Sequence, residues 1–342
     1  MSLVDPRIVK EARPLYPFLF MGCWNRKGAG RDAVLAAIKK DSVSLLVLGG
    51  DNAYPDKTGN EKRYILTDVM SGLDGLPKDR EVYVGIGNHN IDKWAVTNST
   101  NSIYEIEQKY PDWNLPYNYY CVLFEDKRAL IFLDTNLFDN GRAVGAMLRW
   151  FKTTLTHTIK RNGYKYYIIQ HDPFFSIKSP KSGRTILRKT HLSDSHRILD
   201  TILETDCLPL AILCADTHNY QEWDIGYKGH TFHQAVIGTG GASPDPVPAL
   251  QHLPYNTTFT PGDDLFEKIR LVEGTPFSSL TFTTPKTPRE RVPGYGYYRL
   301  FDDRSHLFRL VQRWPGGLNK SRSKSKSKTR RLSKSGSRSG TA

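Results

Sequence analysis

The sequence predicts an α/β protein whose C-terminal part is rich in strands and whose last residues form a basic, unstructured tail. Three observations support that class. Residues 16 to 48 read as strand, helix, strand. Five apolar runs each stop on a short polar cluster, as strands do where an open α/β sheet gives way to ligand-holding loops. Beyond residue 230 only short β-like runs remain before the tail.

Taken in order, Tyr16 to Cys23 (YPFLFMGC) is aromatic and apolar and is followed by a loop with Gly28 and Gly30, so it reads as a buried first strand. Arg31 to Lys40 has apolar residues at helical spacing and two lysines at its end, which suits the negative end of a helix dipole. Val43 to Leu48 is a second buried strand, and the unit predicts a parallel crossover. Glu81 to Ile86 is the next strand and runs into Gly87-Asn88-His89-Asn90. A polar helix is expected around Asn101 to Tyr110, then strands at Tyr117 to Phe124 and Arg128 to Asp134, hairpinned through Glu125-Asp126-Lys127. A helix over Ala143 to Thr156, a strand over Tyr164 to Gln170 ending on His171, and a helix over His196 to Glu204 follow. Leu208 to Ala215 is a buried strand ending on Asp216-Thr217-His218. The remaining strands fall at Thr231 to Ile237, Ile269 to Val272, Ser278 to Thr283, Tyr295 to Phe301 and Ser305 to Val311.

At 342 residues the chain can bury a large core. Its net charge of +13 is concentrated: nine of the 48 Lys and Arg lie in residues 319 to 342, leaving 39 against 35 Asp and Glu elsewhere. Those last residues alternate Lys or Arg with Ser, and such a segment cannot bury enough surface to fold alone. Four scattered cysteines, with no CxxC pair, argue against a disulfide scaffold and for a reducing compartment. No secretory signal is recognisable, and no apolar run approaches the roughly 18 residues of a spanning helix. The expectation is an intracellular protein, cytoplasmic or nuclear, with no membrane partner.

The polar clusters are Cys23-Trp24-Asn25, Asp51-Asn52-Ala53-Tyr54, Asn88-His89-Asn90, His171-Asp172 and Asp216-Thr217-His218. If their strands share a sheet, the clusters converge on one rim. Oxygen and nitrogen donors gathered there suit zinc, iron or manganese. A single Asp or His at a strand end is more often structural; five such endings in series favour a metal site.

On these residues the sequence resembles the calcineurin-like metallophosphoesterases, and within them the purple acid phosphatase branch. GDNAY (Gly50 to Tyr54) and GNHN (Gly87 to Asn90) match two of the family's blocks closely. IIQHDPFFS (Ile168 to Ser176) and ADTHNY (Ala215 to Tyr220) look like two more, in the family's order, over about residues 15 to 312. The resemblance implies a metallophosphoesterase-type sandwich of two mixed β-sheets flanked by helices over residues 1–315, followed by a disordered tail at 316–342. It also implies phosphoester hydrolysis, by a phosphatase or a phosphodiesterase, through a water activated by two divalent or mixed-valence ions. Asp51 would bridge the ions, Tyr54 and His218 would bind the first, and Asn88 and His171 the second. His89 would sit beside the phosphate and protonate the leaving group or steady the transition state.

Two positions depart from the family. Asp216 stands where the fifth block has its first His and remains a competent oxygen ligand. Cys23 stands where the first block has Asp, and Asn25 where the block ends in Gly or His. A ligating Cys23 thiolate would bias the site towards zinc; a buried, apolar Cys23 would leave one ion or none. The alternative reading is therefore a catalytically degenerate phosphoesterase fold that binds nucleic acid or another polyanion through its tail. The same tail also reads as a nuclear address or a solubilising segment. Lys178, Lys181, Arg184, Arg188 and His191 form either a cationic wall for phosphate or a solvated loop. Gly238 to Gly241 (GTGG) resembles the family's return beside the metals, though glycine clusters also make ordinary turns.

Overall fold

In the computed structural model, residues 5–54, 71–91, 113–139, 141–178, 196–245, 255–260, 277–284 and 294–313 are described, with short strands at 56–58, 61–63, 186–188, 264–266 and 269–270. The expected helix around 101–110, the side chains of the basic stretch from Lys178 to His191, and the tail at 316–342 lie outside the described residues.

Two mixed sheets form the body of the fold. Their strands, in chain order, are β1 (Ile8–Glu11), β2 (Phe18–Met21), β3 (Leu45–Leu48), β4 (Glu81–Val84), β5 (Trp113–Asn114), β6 (Tyr120–Phe124), β7 (Arg128–Leu133), β8 (Lys165–Gln170), β9 (Ala211–Cys214), β10 (Tyr220–Tyr227), β11 (His230–Ile237), β12 (Thr257–Phe259), β13 (Ser279–Thr284), β14 (Gly294–Leu300) and β15 (His306–Arg313). The larger sheet runs β1-β6-β7-β8-β9-β11-β10-β13-β12, and the smaller runs β15-β14-β2-β3-β4-β5. At the heart of the smaller sheet β2, β3 and β4 are parallel, and in the larger sheet β7, β8, β9 and β11 are parallel. β6 and β7 form the expected hairpin, with Lys127 in the left-handed region of its turn.

Side-chain alternation decides which face of the larger sheet meets which layer. Leu130, Phe132, Tyr167, Ile169, Leu213, Ala235 and Ile237 point into a core shared with β2, β3 and β4. Their neighbours Ala129, Ile131, Tyr166, Ile168, Ile212 and Val236 point the other way, against helices α2 (Gly141–Thr154) and α3 (His196–Thr205). Helix α1 (Ala29–Lys39) inserts Val34, Leu35 and Ile38 into the first core and packs on β14 and β15. The result is a two-sheet sandwich flanked by helices, as expected.

Several elements differ from the sequence reading: β1, β5 and β12 were not foreseen, and two differences are larger. α2 runs on from Thr154 through a π-helical stretch at Leu155–Lys160. The whole of β10 was not foreseen, because Gln221, Glu222 and Asp224 break its apolar pattern. Gln221 and Glu222 are buried and satisfied: Gln221 donates to the Ile177 carbonyl, and Glu222 accepts from the Tyr220 and Tyr298 hydroxyls.

Candidate metal centre

The five polar clusters do converge, although their strands belong to two sheets. Cys23, Asp51 and Asn88 follow the carboxyl ends of β2, β3 and β4 in the smaller sheet. His171 and Asp216 follow β8 and β9 in the larger one. Backbone hydrogen bonds tie the two rims together: Gly22 N–H donates to the Ile237 carbonyl at 3.0 Å, Gly240 N–H to Gly22 at 3.1 Å, and Ala242 N–H to Cys23 at 2.8 Å. The Gly238–Gly241 turn is thus the return strand's approach to the site. A Cβ on Gly240 would come within 2.6 Å of Trp24 Cβ and 2.8 Å of the Gly22 carbonyl oxygen.

Three of the converging residues hold left-handed backbone: Cys23 at φ 51°, Asp51 at 55° and Asp216 at 55°. That conformation is uncommon without glycine and concentrates at functional sites. Gly50, at φ 99°, leads into it; a Cβ there would lie 2.6 Å from His171 Nδ1 and 2.7 Å from the Gly87 nitrogen.

Around Asp51 the donor atoms divide into two groups. Asp51 Oδ1 is 3.3 Å from His171 Nε2, while Oδ2 is 3.7 Å from Cys23 Sγ. On the Oδ1 side, His171 Nε2 also lies 3.1 Å from Asn88 Oδ1 and 3.9 Å from Asp216 Oδ1. On the Oδ2 side, the Tyr54 hydroxyl is 3.4 Å from His218 Nε2, and Tyr54 packs against Cys23. Ligand atoms of Cys23, Asp51 and His171 all lie within 4.8 Å of one another, and all three residues are buried. The structure therefore brings Cys23, Asp51, Tyr54, Asn88, His171, Asp216 and His218 into one constellation.

The chemistry of this donor set asks for a cation. His171 Nδ1 donates to the Gly49 carbonyl at 2.8 Å, so Nε2 faces the oxygens of Asp51, Asn88 and Asp216. Burial alone would lower the pKa of His171, but the charges of Asp51, Asp172 and Asp216 raise it to about 10. Burial would also raise Asp51, and His171 and His89 outweigh it to hold the carboxyl below its usual range. His218 Nδ1 donates to the Ser243 carbonyl at 3.0 Å, and burial holds this imidazole below its ordinary pKa, leaving Nε2 a neutral donor atom. Burial first, then Asp51 and Cys23, push the Tyr54 hydroxyl well up; burial, Asp51 and Asp216 do the same to the Cys23 thiol. Both would ionise only against a positive charge.

His89 sits at the edge of this group. Its backbone N–H donates to Asp51 Oδ1 at 3.0 Å, and its half-buried ring lies 4.7 Å from the Tyr54 ring. Arg26 lies over the Tyr54 ring, 5.8 Å from its centre. Arg26 and Ser243 also line a cleft of about 190 Å³ with Lys27, Tyr295, Gln312 and the first turn of α1.

Several residues of the polar clusters, given no role from sequence, act as supports. Asn52 accepts from Trp24 Nε1 at 2.9 Å and donates to the Gly85 carbonyl at 2.8 Å. Asn90 Oδ1 accepts from the backbone of Asn52 at 3.3 Å and of Gly87 at 2.9 Å. Asn25, buried, donates to the Asn52 carbonyl and accepts from Arg31, so it braces the loop. Asp172 accepts from Thr135 Oγ1 at 2.6 Å. The only sequence signal for Asn52 and Asn90 was their place inside the quoted blocks.

No protein-family model matches the chain, and no curated protein matches it. Among solved structures, it is similar to GAP50, the anchor in the inner membrane complex of Plasmodium, at 14% identity and a TM-score of 0.48, over 90% of this chain and 91% of that one. It is also similar to PhoD, at 12% identity and a TM-score of 0.47, over 88% of this chain and 73% of PhoD. Likeness at this level carries nothing about chemistry.

Proposed function

We propose that this protein is a metal-dependent phosphoester hydrolase of the calcineurin-like metallophosphoesterase superfamily, close to its purple acid phosphatase branch. The observation that supports this reading best is the placement of Asp51, with one carboxylate oxygen towards His171 and the other towards Cys23. A carboxylate so placed can hold two ions at once. Asn88, His171 and Asp216 would complete one site; Cys23, Tyr54 and His218 the other. Ions of zinc, iron or manganese held there would supply charge to clamp phosphoryl oxygens and would bring the pKa of water towards about 7.

The chain's own residues do the rest. Gly49 and Ser243 carbonyls fix the two imidazoles with Nε2 towards the site. The His89 backbone pins Asp51, and its side chain, tilted against the Tyr54 ring, would give a proton to the leaving-group oxygen. Arg26 and Lys27 in the adjoining cleft would attract the anionic substrate.

The test is hydrolysis of an aryl phosphate and an aryl phosphodiester by full-length protein supplied with zinc, iron or manganese. Asp51→Asn is expected to abolish turnover, and His89→Ala to lower kcat about 10²- to 10⁴-fold. Absence of turnover with every metal contradicts the proposal.

A second reading, a phosphoesterase-type fold that binds without cleaving, is favoured by Cys23 alone. Its thiol is buried beside two carboxylates that oppose its ionisation, and it points its proton at Asp51 Oδ2. Gain of both metal and activity in Cys23→Asp would support this second reading.

A further inference from the structure

The cleft beside the Asp51 constellation carries chemistry of its own. Arg26, Lys27, Ser243 and Tyr295 line it together with Ala29 and Gly30, the first turn of α1, so the positive end of that helix faces the space. No carboxylate stands among its described lining residues. Asp32, the acid of the same helical turn, is taken up by Arg31 Nε at 3.0 Å.

Tyr295 is the group that asks for a ligand. Its side chain is only 9% exposed, and its ring lies so close on the first turn of α1 that a Cβ on Gly30 would run into it. Its hydroxyl has no hydrogen-bond partner among the described residues, and the charge of Arg26 acts on it. A phenol so placed donates to whatever fills the cleft. With the ammonium of Lys27 and the guanidinium of Arg26, the lining offers donors and positive charge, which suit a phosphate.

Position and size narrow the ligand further. Ser243 lines the cleft while its carbonyl accepts from His218 Nδ1 at 3.0 Å, and Arg26 lines it while lying 5.8 Å from the Tyr54 ring centre. The cleft and the Asp51 constellation thus share a wall. At about 190 Å³ the cleft falls below the roughly 300–1,000 Å³ that takes a drug-sized ligand, so it accommodates a phosphate on a short carbon chain and excludes a nucleoside.

We propose that this cleft holds a second phosphate of the substrate, and that the protein acts on small bisphosphorylated alcohols, an inference that rests on the hydrolase reading above. One phosphate lies at the Asp51 centre and the other against Lys27, Tyr295 and the start of α1. Hydrolysis consumes one water, whose oxygen goes to the reacting phosphoryl group while a proton goes to the leaving alkoxide. The products are inorganic phosphate and the alcohol monophosphate.

The test has a binding arm and a turnover arm, both on full-length protein. In the first, propane-1,3-diol bisphosphate is titrated calorimetrically into metal-stripped protein. Lys27→Ala is expected to weaken binding about 10- to 100-fold and Tyr295→Phe about 2- to 10-fold. The basic tail is common to all three proteins, so its own affinity for phosphate cancels in the comparison. In the second arm, metal-supplied wild type is expected to show a kcat/KM for the bisphosphate at least about tenfold above that for 3-hydroxypropyl phosphate, a ratio that falls in Lys27→Ala. Equal affinities in wild type and both variants, or equal turnover of the two compounds by wild type, would overturn the proposal. Binding that depends on Lys27 and Tyr295 without hydrolysis of either compound would uphold the phosphate site and refute the hydrolase reading.

Discussion

Asp51 meets three demands at once: a left-handed backbone, a carboxylate open on both sides, and a backbone N–H from His89 to hold it there. Gly87 makes this possible by having no side chain. A Cβ at that position would run into the Asp51 nitrogen and carboxylate and lie 2.8 Å from His171 Cε1. Gly87→Ala is therefore expected to destabilise the fold by about 1–3 kcal/mol and to displace Asp51, with loss of metal. Urea denaturation and metal analysis check both parts, and a variant with wild-type stability and metal content would refute the cradle. At this scale much was legible. Tyr54, Asn88, His171 and His218 stood at strand ends in a telling order, and each reaches the constellation. Asn25 and Asn52 were not legible as braces, because their partners are backbone atoms and side chains of other loops, and residue type alone does not reveal such bonds.

At the level of elements, the site depends on two sheets being held in register at their carboxyl rims. Asp303, in the turn between β14 and β15, ties the two sheets together at the opposite end, where β7 and β8 begin. It accepts from Arg128 Nε at 2.7 Å, Lys165 Nζ at 2.8 Å and Tyr16 at 3.1 Å, which tie the smaller sheet's turn to the starts of β7 and β8. Burial would raise the pKa of Asp303, but these partners outweigh it and bring it from 3.8 to about 2. Since the folded value lies below the unfolded one, the stabilisation is complete above about pH 4 and disappears as pH falls towards about 2. Asp303→Asn is expected to cost about 1–2 kcal/mol at neutral pH and almost nothing near pH 2. Chemical denaturation across that range checks it, and a cost independent of pH would contradict the assignment. The parallel strands could be foreseen because they are uniformly apolar. β10 could not, since its buried Gln221 and Glu222 find partners that only the assembled sheets supply.

Across the whole molecule, the two-sheet sandwich and its flanking helices were implied by the family resemblance, while the polar strand ends pointed to one site at a rim. What the strand pattern left open was that the rims belong to two sheets, because the link between them, Gly22 N–H to the Ile237 carbonyl, is a backbone bond that residue types do not reveal. No helix among the described residues is long and apolar enough to cross a membrane. The basic tail is expected to confer salt-sensitive binding to nucleic acid: deleting residues 319–342, with their nine Lys and Arg, should lower affinity and flatten its salt dependence in filter binding. Unchanged affinity after deletion would remove that role. The central claim is that Asp51 joins donors from both sheets around metal. It is tested most directly by the metal content of purified full-length protein beside Asp51→Asn. Wild type is predicted to hold at least one equivalent of zinc, iron or manganese more than the variant, and equal metal content in the two proteins would contradict the account.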